Sequence, residues 1–232
     1  MSLGIVLPAA GASARFGAQR SKLVQDLCGK PVIAHTLGMF LSRTDVRQVI
    51  VVAGDDSDVA LDRHPDWRKL LADPRVRRVP GGATRAHSVL EGLQALDQQI
   101  QWVAVHDAAR PLISQDLIDR TLDLARQHGA AVPAMPVALT IKRADGPLPA
   151  RAQCTVSRHD LWAMQTPQIA RRSDLLDAFA RCPIPLEEVT DDMQLIELAG
   201  GQVWLVPGEE RNLKITTQLD MIVARSLMEQ SR

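Results

Sequence analysis

Short apolar runs of strand character alternate with stretches of helical period along this chain, and no other feature restricts its fold as much. Leu3–Leu7 reads as a buried strand. Pro31 opens a helix whose apolar positions Ile33, Leu37, Phe40 and Leu41 share one face. Gln48–Ala53 and Arg75–Val79 read as the second and third strands. From Thr84 the chain carries Ala86, Val89, Leu90, Leu93 and Leu96 at helix spacing. Gln101–Val105 is a strand, Ser114 caps a helix running to about Gln127, and Ala130–Met135 is a strand again. Such an alternation buries its apolar faces as a mostly parallel sheet with helices on both sides. The predicted fold class is α/β.

The alternation fails at Pro136. The stretch PVALTIKRADGPLPARAQCTVSR holds two extended pieces around a DGPLP turn, which predicts a β-hairpin over about 137–157 that stands outside the sheet. Helices then resume. Ser173 is the predicted cap of one beginning near Asp174. Thr190 is the predicted cap of another, with Asp191 and Asp192 in its first turn, and Gly200-Gly201 stops it. Gln202–Val206 reads as a late strand, and Thr217 with Asp220 as the capping box of the last helix. A length of 232 residues suits one large domain, here 1–232, with the hairpin as an arm.

Composition removes several functional classes. Lys plus Arg and Asp plus Glu balance at 27 each, and no basic stripe with interleaved aromatics is present, so nucleic acid is not an expected partner. No apolar run reaches membrane-spanning length and the N-terminus lacks a signal-peptide layout, so the expectation is a cytoplasmic protein without a membrane partner. Cys28, Cys154 and Cys182 are scattered and suggest neither a disulfide framework nor a zinc knuckle.

In open parallel sheets, ligands bind beyond the carboxyl ends of the strands. Three loops follow strands directly: LPAAGAS, VPGGATR and VHDAARP. They are predicted to gather on one edge. In the first, Pro8, Ala9, Ala10 and Gly11 form a candidate nucleotide loop whose backbone N–H groups make an anion-binding concavity. It is neither a Walker loop nor the G-x-G-x-x-G fingerprint. Arg15 and Lys22 lie just behind it, a fork and a movable point charge suited to a polyphosphate. In the second loop, Gly81 and Gly82 permit close approach of a flat group such as a base, and Ser88 lies one helical turn further on. In the third, Asp107 is a lone carboxylate that suits a divalent cation, a substrate hydroxyl or an Asx-turn cap. Arg110 suits an acidic second substrate, while His106 reads as a packed strand residue. No nucleophile with an adjacent base is visible, which fits direct transfer between phosphates by positioning and charge neutralisation.

The combination VLPAAGASARFG…SK, GGATRAHSV, VHDAARP, LWAMQTPQ, VTDDMQLIELAG and NLKIT resembles the 2-C-methyl-D-erythritol 4-phosphate cytidylyltransferases, from Ile5 to the last helix. The resemblance implies a Rossmann-like nucleotidyltransferase fold with a projecting β-arm that holds a homodimer together. It implies transfer of CMP from CTP to the polyol phosphate, with Mg²⁺ held largely by the triphosphate. Arg15 and Lys22 match the cations that stabilise charge at the α-phosphate. Ala9, Ala10, Gly82 and Ser88 match positions around cytosine and ribose, and Asp107 the acidic residue near the metal and the second substrate. Arg110, Thr140, Arg158, Thr166, Thr190 and Lys214 match the second-substrate site, with Arg110 and Thr140 supplied by the partner subunit. Ser13, Ser21 and Ala83 depart from the commoner glycine, proline and polar residue of the pattern. The alternatives are a ribitol 5-phosphate cytidylyltransferase, a non-catalytic nucleotide-binding module, and a sugar-nucleotide synthase using UTP or GTP.

Overall fold

The apolar run after the N-terminus becomes the centre of a sheet. In the computed structural model, which describes residues 2–10, 21–53 and 61–230, Leu3–Pro8 forms β1. β1 lies between β4 (Val46–Ala53) and β6 (Trp102–Val105), parallel to both, and β5 (Val76–Pro80) adds to β4 in the same sense. Side chains alternate across these strands, yet both faces are covered. Leu3, Ile5, Leu7, Val49 and Val51 belong to one buried cluster, and Val6, Ile50, Val52, Val103 and Val105 to the other. Strands buried on both faces read as unbroken apolar runs, which is why they are legible in the sequence. A side chain such as Ile5 or Val52, fully removed from water, contributes about 2 kcal/mol.

The helices divide between the two faces. The first cluster takes α1 (Val32–Leu41), Trp67 of α2 (Pro65–Leu71), α4 (Gln115–His128) and Met221 and Ala224 of α7 (Gln218–Glu229). The second takes α3 (Arg85–Ala95), α5 (Arg172–Ala180) and α6 (Asp192–Leu198). Helix starts follow side-chain capping. Thr84 Oγ1 accepts from His87 N at 3.3 Å, Ser114 Oγ from Leu117 N at 3.0 Å, and Thr217 with Asp220 forms the predicted capping box.

Two predicted caps move. Asp191, not Thr190, caps α6 by accepting from Gln194 N at 2.8 Å, because its side chain is one residue closer to the first orphan N–H groups. Thr190 instead bonds Gln194 Oε1 through both its N–H and its hydroxyl. Ser173 lies inside α5, which begins at Arg172 without a side-chain cap, and its hydroxyl donates to Asp174.

The far side of the sheet is less regular than the alternation predicts. β7 (Ala130–Pro136) pairs in parallel with β12 (Trp204–Pro207) and antiparallel with β10 (Trp162–Met164). β11 (Gln168–Arg171), which the sequence reading lacks, runs antiparallel to both β6 and β7. The sheet stays mostly parallel around β1. A short antiparallel pair, β2 (Asp26–Leu27) with β3 (Lys30–Pro31), also lies beyond the alternation.

The arm is present. β8 (Ile141–Ala144) and β9 (Ala152–Val156) form their own two-stranded sheet, with Ile141 opposite Val156 and Lys142 opposite Thr155. Its strands are shorter than the predicted span, and nearly every residue of the arm is exposed, including Leu139 at 78% and Leu148 at 86%.

Candidate active site

The loops after β1, β5 and β6 meet, as their common strand direction requires. They line a cleft of about 380 Å³ together with Lys22 and Lys214. Pro8, Ala9 and Ala10 line one side, Gly82 to Arg85 with Ser88 another, and Asp107 to Ala109 a third. Of the expected nucleotide-site residues, Gly11 and Arg15 lie outside the described residues.

One detail of the first loop is corrected. The Ala9 N–H donates to Val52 O at 2.6 Å, which continues the parallel ladder beyond β1. That donor is spent on the sheet and does not face an anion, so Ala9 contributes shape and not a hydrogen bond. In the second loop, the Gly82 N–H donates to Ser88 Oγ at 3.1 Å, closing the turn onto the first helical turn of α3. Side chains are excluded here by close approach. A Cβ on Gly81 would come within 2.4 Å of Ala10 Cβ, and one on Gly82 within 2.5 Å of His87 Cβ. Gly81, the first glycine of this loop, thus sets the spacing between the two walls.

Asp107 sits in a shell of cations. Its carboxylate is 3.1 Å from Lys214 Nζ, 3.2 Å from Arg110 Nε and 3.8 Å from Arg85 Nε. Burial alone would raise its pKa, but Lys214, Arg85 and Arg110 outweigh burial and hold it well below the usual carboxylate range. The Asx-cap alternative is not met, since the carboxylate faces these cations. Nor does Asp107 suit a protein-held divalent ion, because its charge is already engaged by cationic side chains. Among the described residues no group of three or more His, Cys, Asp or Glu could hold a metal.

Arg110, assigned to the partner subunit by resemblance, stands in its own chain's cluster. It is buried, with Nη1 donating to Asn212 O at 2.8 Å. Thr166 lies directly behind Asp107 and accepts the Asp107 N–H at 3.0 Å. His106 is fully buried with an edge-on contact to Phe40, as expected of a packed strand residue, and burial pushes its pKa down to about 4. Thr190, Thr140 and Arg158 are exposed and do not line the cleft. Arg158 donates to Ala138 O at the base of the arm.

Two site residues escape the sequence reading. Arg85 lines the cleft and clamps the fully buried Asp192 through both guanidinium nitrogens, at 3.0 and 2.8 Å. Burial opposes its charge, but Asp192 and Asp107 overcome this and raise its pKa. The Asp192 N–H in turn donates to Gln168 Oε1 at 2.8 Å. The signal for Asp192 was present but explained by the helix dipole. Its partner is remote in the sequence.

A family model described as IspD, 2-C-methyl-D-erythritol 4-phosphate cytidylyltransferase, matches residues 3–230. A 2-C-methyl-D-erythritol 4-phosphate cytidylyltransferase of Bacillus velezensis is 41% identical, covering 98% of this chain and 96% of that protein. One of Haemophilus influenzae is 39% identical, covering 96% and 95%. The crystal structure of the Thermus thermophilus enzyme of the same name aligns with a TM-score of 0.79 and 31% identity, over 99% of this chain and 100% of that one. With the three loops on one sheet edge, the cationic cleft and this end-to-end likeness, the chain belongs to the 2-C-methyl-D-erythritol 4-phosphate cytidylyltransferase family, enzymes with a nucleotidyltransferase fold.

Proposed function

We infer that this chain transfers CMP from CTP to 2-C-methyl-D-erythritol 4-phosphate, forming 4-diphosphocytidyl-2-C-methyl-D-erythritol and pyrophosphate. The observation that carries the reading is the shared cleft. A side-chain-poor wall for a nucleoside, Ala10 facing Gly81 with Gly82 next to it, stands beside two lysines, Lys22 and Lys214, from distant parts of the chain.

The chemistry follows from that arrangement. A phosphate oxygen of the polyol phosphate attacks the α-phosphorus of CTP. The bond from that phosphorus to the α,β-bridging oxygen breaks, and its electron pair leaves with pyrophosphate. Negative charge grows on the non-bridging oxygens, where Lys22 meets it; Arg15, outside the described residues, is assigned beside it by the resemblance alone. The incoming phosphate brings its own charge, and Lys214 and Arg110 draw it toward the Asp107 side of the cleft. Asp107 keeps those cations apart and oriented and offers a carboxylate to a substrate hydroxyl. Holding both reactants in line supplies much of the rate. Mg²⁺ would be held by the CTP phosphates and would neutralise their charge; among the described residues no group of three or more His, Cys, Asp or Glu could hold a metal.

Thr140 and Arg158 belong to the arm, and we assign them to the active site of a second subunit in a homodimer. Exposed Leu139, Leu148 and Trp162, the last 46% exposed, supply apolar surface for that pairing. Among the described residues no helix is long and apolar enough to cross a membrane.

The rival acceptor is ribitol 5-phosphate. Purified protein with CTP, Mg²⁺ and each polyol phosphate separates the two by pyrophosphate release. The methylerythritol phosphate should be the better acceptor by kcat/KM. A preference for ribitol 5-phosphate overturns the assignment, and UTP or GTP outperforming CTP overturns the nucleotide.

A further inference from the structure

Behind Asp107 the polar groups close on themselves. His106 Nε2 lies 3.2 Å from the Arg110 carbonyl oxygen, which can only accept, so Nε2 carries a proton. His106 Nδ1 lies 3.0 Å from Thr166 Oγ1. Complete burial disfavours an imidazolium, so the ring is neutral and Nδ1 accepts. The Thr166 hydroxyl proton is therefore donated inward, to His106. Thr166 Oγ1 in turn accepts the Asp107 N–H at 3.0 Å, and Arg110 Nε donates to Asp107 Oδ2 at 3.2 Å. Each residue thus donates to the next in one sense around the circuit: His106 to Arg110, Arg110 to Asp107, Asp107 to Thr166, Thr166 to His106. Of these four, only Asp107 lines the cleft.

We propose that His106 is a positioning residue for the reaction: its Nε2–H tautomer closes a directional hydrogen-bond ring that fixes where the Asp107 carboxylate points in the cleft, and it commits the Thr166 hydroxyl to that ring. The inference rests on the reading that Asp107 faces the second substrate. His106 touches no substrate. It acts through Arg110, which grips the carboxylate, and through Thr166, which holds the backbone N–H of the same residue. From the Asp107 N–H through Thr166 and His106 to the Arg110 carbonyl the bonds form one continuous chain whose members polarise one another, and the Arg110 side chain and Asp107 carboxylate close the ring through their own covalent frames. The nucleotide wall is built differently, from the Gly82–Ser88 turn and Ala10, and meets the ring through Arg85, whose Nε lies 3.8 Å from the Asp107 carboxylate.

His106 can be divided into its two functions. Asn reaches the Nδ1 position and can accept from Thr166. Gln reaches the Nε2 position and can donate to the Arg110 carbonyl. Phe keeps a flat ring against Phe40 and supplies neither. The expected result is a rise in KM or a fall in kcat for 2-C-methyl-D-erythritol 4-phosphate. The loss in kcat/KM is about tenfold or more for His106→Phe and smaller for His106→Asn and His106→Gln, while KM for CTP stays within about twofold. Circular dichroism checks each fold. If His106→Phe does not fold, Thr166→Val, which removes the hydroxyl donor from the opposite end, carries the same expectation. Spectra of ¹⁵N-histidine-labelled enzyme at neutral pH report the tautomer directly, with Nε2 protonated and Nδ1 bare. An Nδ1-protonated imidazole, or a folded His106→Phe that keeps wild-type kinetics for both substrates, overturns the proposal. Wild-type protein that does not use this polyol phosphate at all overturns the functional reading instead, and leaves the tautomer result standing.

Discussion

At the scale of single residues, the site is governed by charges whose partners are fixed by burial. His106 makes stability depend on pH. Its folded pKa, near 4, lies below the unfolded value of 6.5. The unfolded chain therefore binds more protons between those values. Stability is complete above about pH 6.5 and declines as pH falls toward 4. The full effect is on the order of 3 kcal/mol. Urea titrations at pH 7 and pH 4.5 should show that loss reduced in His106→Asn, and an equal loss in both proteins contradicts it. Asp107→Asn removes the carboxylate that Lys214 and Arg110 share and leaves Arg85 held by Asp192 alone. Breaking such a buried pair costs on the order of 3 kcal/mol, seen as a clear drop in urea midpoint. An unchanged midpoint contradicts the shell described here.

At the scale of elements, the most exacting contact is that of α3 with β1. A Cβ on Gly92 would lie 2.4 Å from Val6 Cγ1 and 3.0 Å from Val52 Cγ2. Gly92→Ala gains about 1 kcal/mol of helix propensity and loses about 1–3 to overpacking, so net destabilisation is expected. A higher melting temperature in that variant contradicts the packing. The C-terminal helix depends on its cap. Asp220 Oδ2 accepts from Thr216 N and Thr217 N, each at 2.7 Å, and Asp220→Ala should cost about 1 kcal/mol. The strands at the centre of the sheet could be read because burial on both faces leaves continuous apolar runs. QIAR could not, since a four-residue strand takes its direction from β6 and β7 and not from its own pattern. Thr190 and Asp191 show the same limit, because either residue type can cap and one position of shift decides which does. The loops of the site were legible through their place after strands. Of the shell around Asp107, Arg110, Thr166 and Lys214 entered through the resemblance, and Arg85 did not, because it meets Asp107 and Asp192 only after folding.

At the scale of the whole molecule, the arm leaves exposed apolar side chains that a single chain does not cover. Light scattering should therefore give twice the 25.4 kDa chain mass, and removing the arm should give one chain mass with weakened turnover. A wild-type monomer of full activity contradicts the assignment of Thr140 and Arg158 to a second subunit. The cleft acts as the place where a triphosphate meets cations as its α-phosphorus reacts. Turnover of Lys22→Ala, measured beside its affinity for CTP, tests this most directly. A fall of about 10²-fold or more in kcat with CTP affinity within a few fold and the fold intact is the predicted result. Near-normal turnover from the folded variant contradicts it.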